Sequence, residues 1–511
     1  MLAFVLSLCM QVHGQTYTYS DIMRVSLRNS GPIIQDNQVR GYYMFYYVDR
    51  VDRKTNAYKL SILDENLKEI ASKNLEESKT TILQEGAFDG ESILLYFYDT
   101  RTKEVTLKSF DKSANLTNTK KMTLTMQPMY VITSYESNEE IETDFVYPLK
   151  QKGFVAYTST KPKSWGYRID YLPPSGDKTG WTYNSPATES NHASSTFLAA
   201  DENVIYSSII KKPSLVSRQM NSYVLGLDAK TGKKVFETQV TDAKYEVSIL
   251  RGFLDENTGN LLVLGQYYAK GDKEAKAASL GLAYVSYDKT GKQVSAKFLS
   301  WADDVSKVLP TNERGKIKDI GYLYFHEMVQ TPDGKYYGIA ESYRKKASGA
   351  GIALKVLAGG GNTGTSVVEM QVGNLYIFRF GKDFSLESAQ SFEKTANNVE
   401  LPDGAEYLSP QLIAKYIAAW GYFDYSFVNP TKDKSTFTVG YTDWEKKKGQ
   451  KGKLVFGAIT AKDGAYTTDK ISLETEATRL WISPGKPGYV AISEYNRKAK
   501  SLTVRLEKIN Y

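Results

Sequence analysis

The feature that most constrains this chain is a pair of β-hairpins with short turns, which recurs along its length. The pair is clearest in residues 252–299, where strands are predicted at 261–268, 282–287 and 293–299 after a first strand that ends at residue 254. Both turns, 255–260 and 288–291, are rich in Asp, Asn and Gly, which tolerate the positive φ of tight hairpins. Four such strands form a sheet that cannot bury both faces without neighbouring sheets. The pattern therefore predicts the blade of a β-propeller.

Similar hairpin pairs recur along the rest of the chain. We count eight units, each of roughly 60 residues, which is longer than the usual blade of about 40 to 50. The sequence therefore predicts an all-β fold, a β-propeller of eight four-stranded blades in one domain over residues 15–511, with seven blades as the alternative if the last two units merge. The last unit is one strand short, and an unpaired edge is a liability. We expect residues 16–27 to supply that strand by pairing with residues 501–510.

The additional length in each unit falls between its hairpins or between units. The longest insertion runs from Arg344 to Gly373, and Pro402 to Ala419 has a partly helical pattern. In a four-stranded up-and-down blade, these connections emerge on one face of the ring. Because loops carry function more often than the scaffold beneath them, we expect that face to carry the site.

The N-terminal segment is typical of an export signal. An apolar run at residues 2–10 precedes Gly14, which predicts a signal peptide over residues 1–14. No Lys or Arg precedes that run, so an upstream start or an ordinary buried strand stays as an alternative. Cys9 leaves lipidation open, although Leu8 precedes it where a lipoprotein signal normally has a small residue. Removal of the segment would leave no cysteine, and therefore no disulfide and no thiolate site.

Composition excludes several classes of function. Hydrophobic residues make up 41% and charged residues 24% of the 511 residues, which is typical of a globular protein. The net charge of +7 comes from interspersed residues of both signs, whereas a nucleic-acid binder concentrates basic residues on one face. We expect no nucleic-acid partner, no transmembrane segment in the mature chain, no cofactor and a monomer.

Two segments resemble known propeller repeats. GLDAKTGKKVFE, residues 226–237, resembles the quinoprotein dehydrogenase repeat, and VQTPDGKYYGIAES, residues 329–342, resembles the TolB-like repeat. Each match covers little more than one hairpin, and Phe236 stands where the quinoprotein pattern has Trp, so the resemblance implies the fold and no cofactor. The whole chain is similar to exported propeller proteins of unknown function in Gram-negative bacteria. That similarity implies a location in the periplasm or cell envelope.

Catalytic motifs are scarce. Beyond residue 14 the chain has two histidines, His192 and His326, in different units. A histidine metal site or a Ser/His/Asp triad would need one of them. We expect His326 to pack within its blade, because it lies in an alternating strand. Pairs of carboxylates, which hydrolyse glycosides, stay possible.

Aromatic residues are the most regular candidates for binding. Second strands tend to end in tyrosine, and the residues we select as ligand-binding are Trp165, Tyr268, Tyr343, Trp420 and Trp444. One interpretation is that such tyrosines pack between blades with their hydroxyls in water, which suits tyrosine well. The other is an aromatic platform for a glycan or peptide. Trp444 is the best single candidate, because charged neighbours make its full burial unfavourable.

Two hypotheses for the function follow. The first is an exported, non-catalytic propeller that binds a protein or cell-envelope partner through its loop-rich face. The alternative is a carbohydrate-active or other hydrolase with carboxylates in the central channel. The small number of histidines and the lack of a known catalytic motif favour the first.

Overall fold

The ring of eight blades predicted from the hairpin repeats is confirmed by the computed structural model. The structure describes residues 15–25, 29–123, 145–160, 165–174, 180–186, 189, 191–214, 217, 219–272, 274, 276–318, 320–358, 364–445, 452–473 and 475–510. The predicted signal peptide, residues 1–14 with Cys9, lies outside the described residues.

Strands are the main secondary structure of the described chain. The first eighteen strands are β1 Thr16–Tyr19, β2 Arg24–Val25, β3 Gly31–Gln35, β4 Gln38–Arg50, β5 Thr55–Asp64, β6 Glu69–Ser78, β7 Thr81–Phe88, β8 Ser92–Asp99, β9 Glu104–Asp111, β10 Leu116–Thr123, β11 Val146–Pro148, β12 Phe154–Thr160, β13 Gly166–Leu172, β14 Thr182–Asn184, β15 His192–Ala200, β16 Val204–Lys212, β17 Asn221–Asp228 and β18 Lys234–Gln239. They form blades 1 to 4, except that β1 belongs to blade 8.

The remaining strands form blades 5 to 8. They are β19 Tyr245–Leu254, β20 Leu261–Ala269, β21 Gly281–Tyr287, β22 Gln293–Ser300, β23 Tyr322–Gln330, β24 Tyr336–Ala347, β25 Thr365–Phe380, β26 Leu386–Phe392, β27 Asn397–Pro402, β28 Tyr425–Pro430, β29 Thr436–Glu445, β30 Lys453–Lys462, β31 Ala465–Ser472, β32 Arg479–Pro484, β33 Tyr489–Asn496 and β34 Ser501–Lys508. The helices are α1 Gly349–Leu357 and α2 Pro410–Ala419, with 3₁₀ turns at Val305–Lys307 and Ala405–Tyr407.

The ring has two unlike faces. We call the turn face the side that carries the turns within hairpins, such as residues 36–37, 255–260 and 431–435. We call the loop face the other side, which carries the longer connections, including residues 301–318, 348–358 and 403–424. Both α-helices lie in loop-face connections, as the position of the insertions predicts.

The core consists of hydrophobic clusters between neighbouring blades. One cluster joins Phe45 and Leu60 of blade 1 to Phe97 of blade 2, and another joins Ile339 of blade 6 to Val439 of blade 7. The inner strands contact one another in sequence around the ring, including the last pair, β32 and β3. Each blade thus buries both faces of its sheet against its two neighbours, which is where the hydrophobic stabilisation arises.

The N-terminal strand completes the last blade. Strand β1 pairs antiparallel with β34, and Thr16 lies opposite Arg505 while Tyr19 lies opposite Leu502. Tyr19 is buried, and its ring lies 5.1 Å from that of Tyr46 in blade 1. The pairing gives blade 8 its fourth strand and joins the two ends of the ring.

Replacing the buried tyrosine of β1 should destabilise the closed ring. We expect Tyr19→Ala to lower the free energy of unfolding by about 3 kcal/mol, the scale for truncating a buried aromatic side chain. Thr18→Ala in the same strand is the control, because Thr18 is exposed and surface changes stay within about 0.5 kcal/mol. Urea denaturation measures both. Equal stability of the two variants would contradict this role for β1.

Candidate functional site on the loop face

Three of the five predicted binding residues are tryptophans in loop-face positions, but they are dispersed around the ring. Trp165 lies between β12 and β13 of blade 3, and Trp444 lies near the end of β29 in blade 7. Trp420 follows α2, and its ring lies 5.5 Å from that of Tyr416. Trp444 is 55% exposed, which agrees with the sequence-based expectation that it is not fully buried.

The two predicted tyrosines do not reach the surface. Tyr268 and Tyr343 are only 2% and 1% exposed, and the Tyr268 hydroxyl donates to Oε1 of Gln266 at 3.3 Å. Burial, together with Glu274 and Tyr343, raises the pKa of Tyr268 well above its usual value. Both rings are part of the packing between blades 5 and 6, so neither can serve as a surface anchor.

Two tyrosine hydroxyls at the ends of second strands bind protein groups, in contrast to the sequence-based expectation that such hydroxyls reach water. The Tyr157 hydroxyl of blade 3 lies 2.7 Å from Oγ of Ser207 in blade 4. The Tyr495 hydroxyl of blade 8 donates to the carbonyl of Met23 at 2.8 Å. A buried hydroxyl is costly without a partner, and the adjacent blade is closer than bulk water. These tyrosines therefore connect neighbouring blades.

An exposed apolar surface is present on helix α1, which the sequence did not predict as a helix. Ser348 caps its N-terminus by accepting a hydrogen bond from the N–H of Gly351 at 3.1 Å. Gly351 is required for close packing on β25, since an added Cβ would lie 2.0 Å from the carbonyl oxygen of Ser366. The helix leaves several apolar side chains in solvent: Ile352, Leu354, Val356 and Leu357. Val356 and Leu357 are 73% and 84% exposed.

The apolar surface continues onto the connection that follows β27. Nζ of Lys355 in α1 lies 3.4 Å from both Asp403 and Glu406, which holds the 3₁₀ turn beside the helix. Tyr407, which directly follows, is 75% exposed, and Leu408 is also exposed. We call this surface the apolar patch: Ile352, Leu354, Val356, Leu357, Tyr407 and Leu408. Exposed apolar side chains that lie near one another often mark an interaction site.

A basic pocket adjoins the apolar patch. It has a volume of about 450 Å³ and is lined by Lys316, Gly321, Tyr322, Arg344, Lys345, Lys346 and Pro410. Lys345 donates to the carbonyl of Glu406 at 3.1 Å, so the pocket and the patch share a wall. Burial lowers the pKa of Lys345. The two features together form an apolar surface with a positively charged border.

A buried ionic cluster lies beneath the loop face, between blades 6 and 7. Lys394 has no exposed side chain and pairs with Glu341 at 3.1 Å and with Asp424. Glu341 also accepts the N–H of Tyr425 at 3.0 Å and lies 3.1 Å from Nε2 of His326. As expected from the sequence, His326 is buried and contacts a group of its own blade, Glu341, but its ring also stacks on Tyr425 of blade 7 at 4.6 Å, and burial lowers its pKa. The cluster fixes the start of the blade 7 inner strand.

The two carboxylates of this cluster have opposite pKa shifts. Burial opposes ionisation of Glu341, but Lys394 and His326 outweigh it and hold its pKa below the usual value. For Asp424, burial dominates and raises the pKa from 3.8 to about 6, despite Lys394. The charge of Lys394 therefore offsets the desolvation cost of ionised Glu341 fully, but it offsets that of ionised Asp424 only in part.

Two kinds of feature are absent from the part of the chain that the structure describes. No three His, Cys, Asp or Glu side chains there come together in a way that could hold a metal ion. Neither described α-helix is long and apolar enough to cross a membrane.

Comparison with known protein families gives one match. Residues 1–510 match the model of a family described as a family of unknown function, DUF6770. No curated protein sequence matches the chain.

Similar solved structures include three chains, all at low identity. Prolyl oligopeptidase B from Galerina marginata is 9% identical, with a TM-score of 0.40 over 92% of this chain and 55% of that chain. The chain thus spans about half the length of that enzyme. The polysaccharide lyase Uly1 is 8% identical, with a TM-score of 0.35 over 96% and 90%. The WD40 domain of Toxoplasma gondii coronin is 7% identical, with a TM-score of 0.32 over 97% and 87%. None of these similarities supports a function.

The raised pKa of Asp424 predicts a specific pH dependence of stability. A carboxyl with a folded-state pKa above its unfolded value opposes folding once it ionises, so its cost develops between about pH 4 and pH 6. We expect Asp424→Asn to gain stability relative to the wild type as pH rises through this window. Asp303→Asn is the control, because Asp303 is exposed. Urea denaturation at pH 4, 5, 6 and 7 measures the difference, and a constant difference would contradict the shift.

Proposed function

The chain belongs to this family of unknown function, DUF6770, and we propose that it is an exported, non-catalytic binding protein. Its partner is a protein or cell-envelope component that docks on the loop face. The observation that carries the proposal is the apolar patch with its basic border, which lies beside the pocket of Lys316, Arg344 and Lys346. A monomeric soluble surface rarely presents contiguous apolar side chains without a partner.

The chemistry of the patch defines the chemistry of its partner. The apolar side chains Val356 and Leu357 match an apolar surface, and the cations around the pocket match carboxylates beside it. Complementary charge directs encounter and orientation, while buried apolar anchors supply most of the affinity. We therefore favour an acidic protein surface with exposed apolar side chains over a neutral glycan.

The alternative, a hydrolase, has less support from the described carboxylates. Glycoside hydrolysis needs two carboxyl groups that face the same bond. Glu85 instead accepts the N–H groups of Phe145 and Val146 at 2.7 and 3.2 Å. Glu341 accepts the N–H of Tyr425, and Asp424 pairs with Lys394. These three groups stabilise contacts between blades, which leaves them poorly placed for chemistry.

Charged substitutions on α1 test the proposal. We expect Val356→Glu and Leu357→Glu to weaken binding of a captured partner at least 10-fold, because a carboxylate would enter an apolar contact. The matched control is Val294→Glu, since Val294 is 56% exposed on the outer strand of blade 5. Affinity is measured by titration with the purified partner, after circular dichroism shows that the variants fold. Equal weakening by the control, or unchanged affinity of both α1 variants, would refute the proposal.

Trp444 tests how far the interface extends toward blade 7. Because it is exposed, Trp444→Ala should change the free energy of unfolding by no more than about 0.5 kcal/mol. If the partner reaches this ring, the affinity should fall by at least about 1 kcal/mol. The same titration and urea measurement apply. A variant that unfolds while its folded fraction still binds would exclude Trp444 from the interface.

A further inference from the structure

Two charged side chains point into the central channel from neighbouring inner strands. Arg251 of β19 and Glu327 of β23 each directly follow a β-bulge at the equivalent place in their blade. Both are exposed, whereas Leu250, His326 and Met328 beside them are buried. Neighbouring blades cover the two sides of an inner strand, so an exposed side chain in its middle faces the channel. The bulge re-aims the side chain in this direction.

Groups from three blades surround Arg251. Its charge is favoured, against the effect of burial, by Tyr324, Glu327, Tyr425 and Tyr147, which raise its pKa. Tyr147 belongs to blade 3 and Tyr425 to blade 7, on opposite sides of blade 5. Because Arg251 is accessible to water and is also influenced by groups from several blades, we place its side chain in the central channel of the ring.

The Arg251 guanidinium is held in place by backbone carbonyls. Nε donates to the carbonyl of His326 at 2.8 Å, and Nη1 lies 3.4 Å from the carbonyl of Leu250. Among the described residues, no carboxylate forms an ion pair with this guanidinium, and Nη2 has no hydrogen-bond partner. Arginine with a fixed orientation and spare N–H groups is well suited to bind a carboxylate.

Glu327 restricts the charge of the ligand. Although water reaches Glu327, desolvation by the surrounding blades raises the pKa of its carboxyl, and Arg251 and the N–H of Met328 counteract the effect. A doubly charged anion would meet the negative charge of Glu327 when ionised, while a hydroxyl group could hydrogen-bond to it in either state. The site thus favours one negative charge together with hydroxyl groups.

The channel is bridged at the turn face. Lys434 of blade 7 forms an ion pair with Glu256 of blade 5, and Lys432 lies 3.7 Å from Asp36 of blade 1. Each pair joins blades that are not neighbours, so these turns extend across the mouth of the channel. A small ligand beside Arg251 would therefore be shielded from that side.

From this geometry we infer that the channel binds a small hydroxylated organic acid with one carboxylate, which pairs with Arg251 while its hydroxyl groups bond to Glu327. The site is separate from the apolar patch and does not depend on the proposed function. Binding in the channel is expected to leave the loop-face interface intact.

Titration of the full chain with gluconate tests the inference. We expect saturable binding that weakens at least 10-fold in Arg251→Gln and changes less than 2-fold in Arg344→Gln, the control in the basic pocket. Glucose and inorganic phosphate should each bind at least 10-fold more weakly than gluconate. No saturable binding of gluconate, loss of binding in the control alone, or equal binding of phosphate would overturn the assignment.

A chemical measurement on the wild-type chain keeps the test independent of folding in the Arg251 variant. Phenylglyoxal modifies accessible arginines, and mass spectrometry reports the rate at each position. We expect saturating gluconate to slow modification of Arg251 at least 5-fold and to leave that of Arg344 unchanged. Equal rates at Arg251 with and without gluconate would overturn the inference.

Discussion

Each blade depends on its two neighbours, because a four-stranded sheet has two apolar faces and cannot cover either of them by itself. Apolar clusters such as Phe45 with Phe97 fill the spaces between blades, and they carry most of the hydrophobic stabilisation. Polar contacts at the same interfaces bury little area, but they fix where the inner strands of neighbouring blades begin. Glu85 holds the first N–H groups of the blade 3 inner strand, and Glu341 does the same for blade 7. Glu85 and Glu341 are thus structural connectors between blades.

The fold was predictable because the turns follow local rules. Asp255 accepts N–H groups within its own turn, and Gly259 adopts a φ of 68°, so their identity is determined by a few neighbouring residues. Helix α1 was not predicted, because Gly349 and Gly351 in its first turn lower its helical propensity, and the helix depends on the Ser348 cap and on packing against β25. Local sequence therefore determines the strands and turns of a blade, whereas tertiary contacts determine the helix in the insertion.

The sites were less predictable than the fold, for a physical reason that can be traced to particular residues. Tyr268 and Trp444 both lie near the ends of second strands, yet one is buried and the other exposed. The difference in exposure depends on which residues cover each ring, and the strand pattern does not predict those residues. Arg251 was equally hidden, because only the bulge beside Leu250 directs it to the channel. The sequence around Arg251 does not indicate that strand β19 contains a bulge.

Because β1 pairs with β34, blade 8 is the last blade that can be completed during folding. The first of these strands leaves the ribosome nearly five hundred residues before its partner, so a long stretch of chain must remain available for a late contact. Loop-closure entropy grows only slowly with length, but non-local pairing slows folding. Blades with hairpin-local contacts can assemble during synthesis, whereas blade 8 waits for the last strand. Until then Tyr19 and the face of blade 1 beside it stay exposed, and this interval is when the chain is most vulnerable to aggregation.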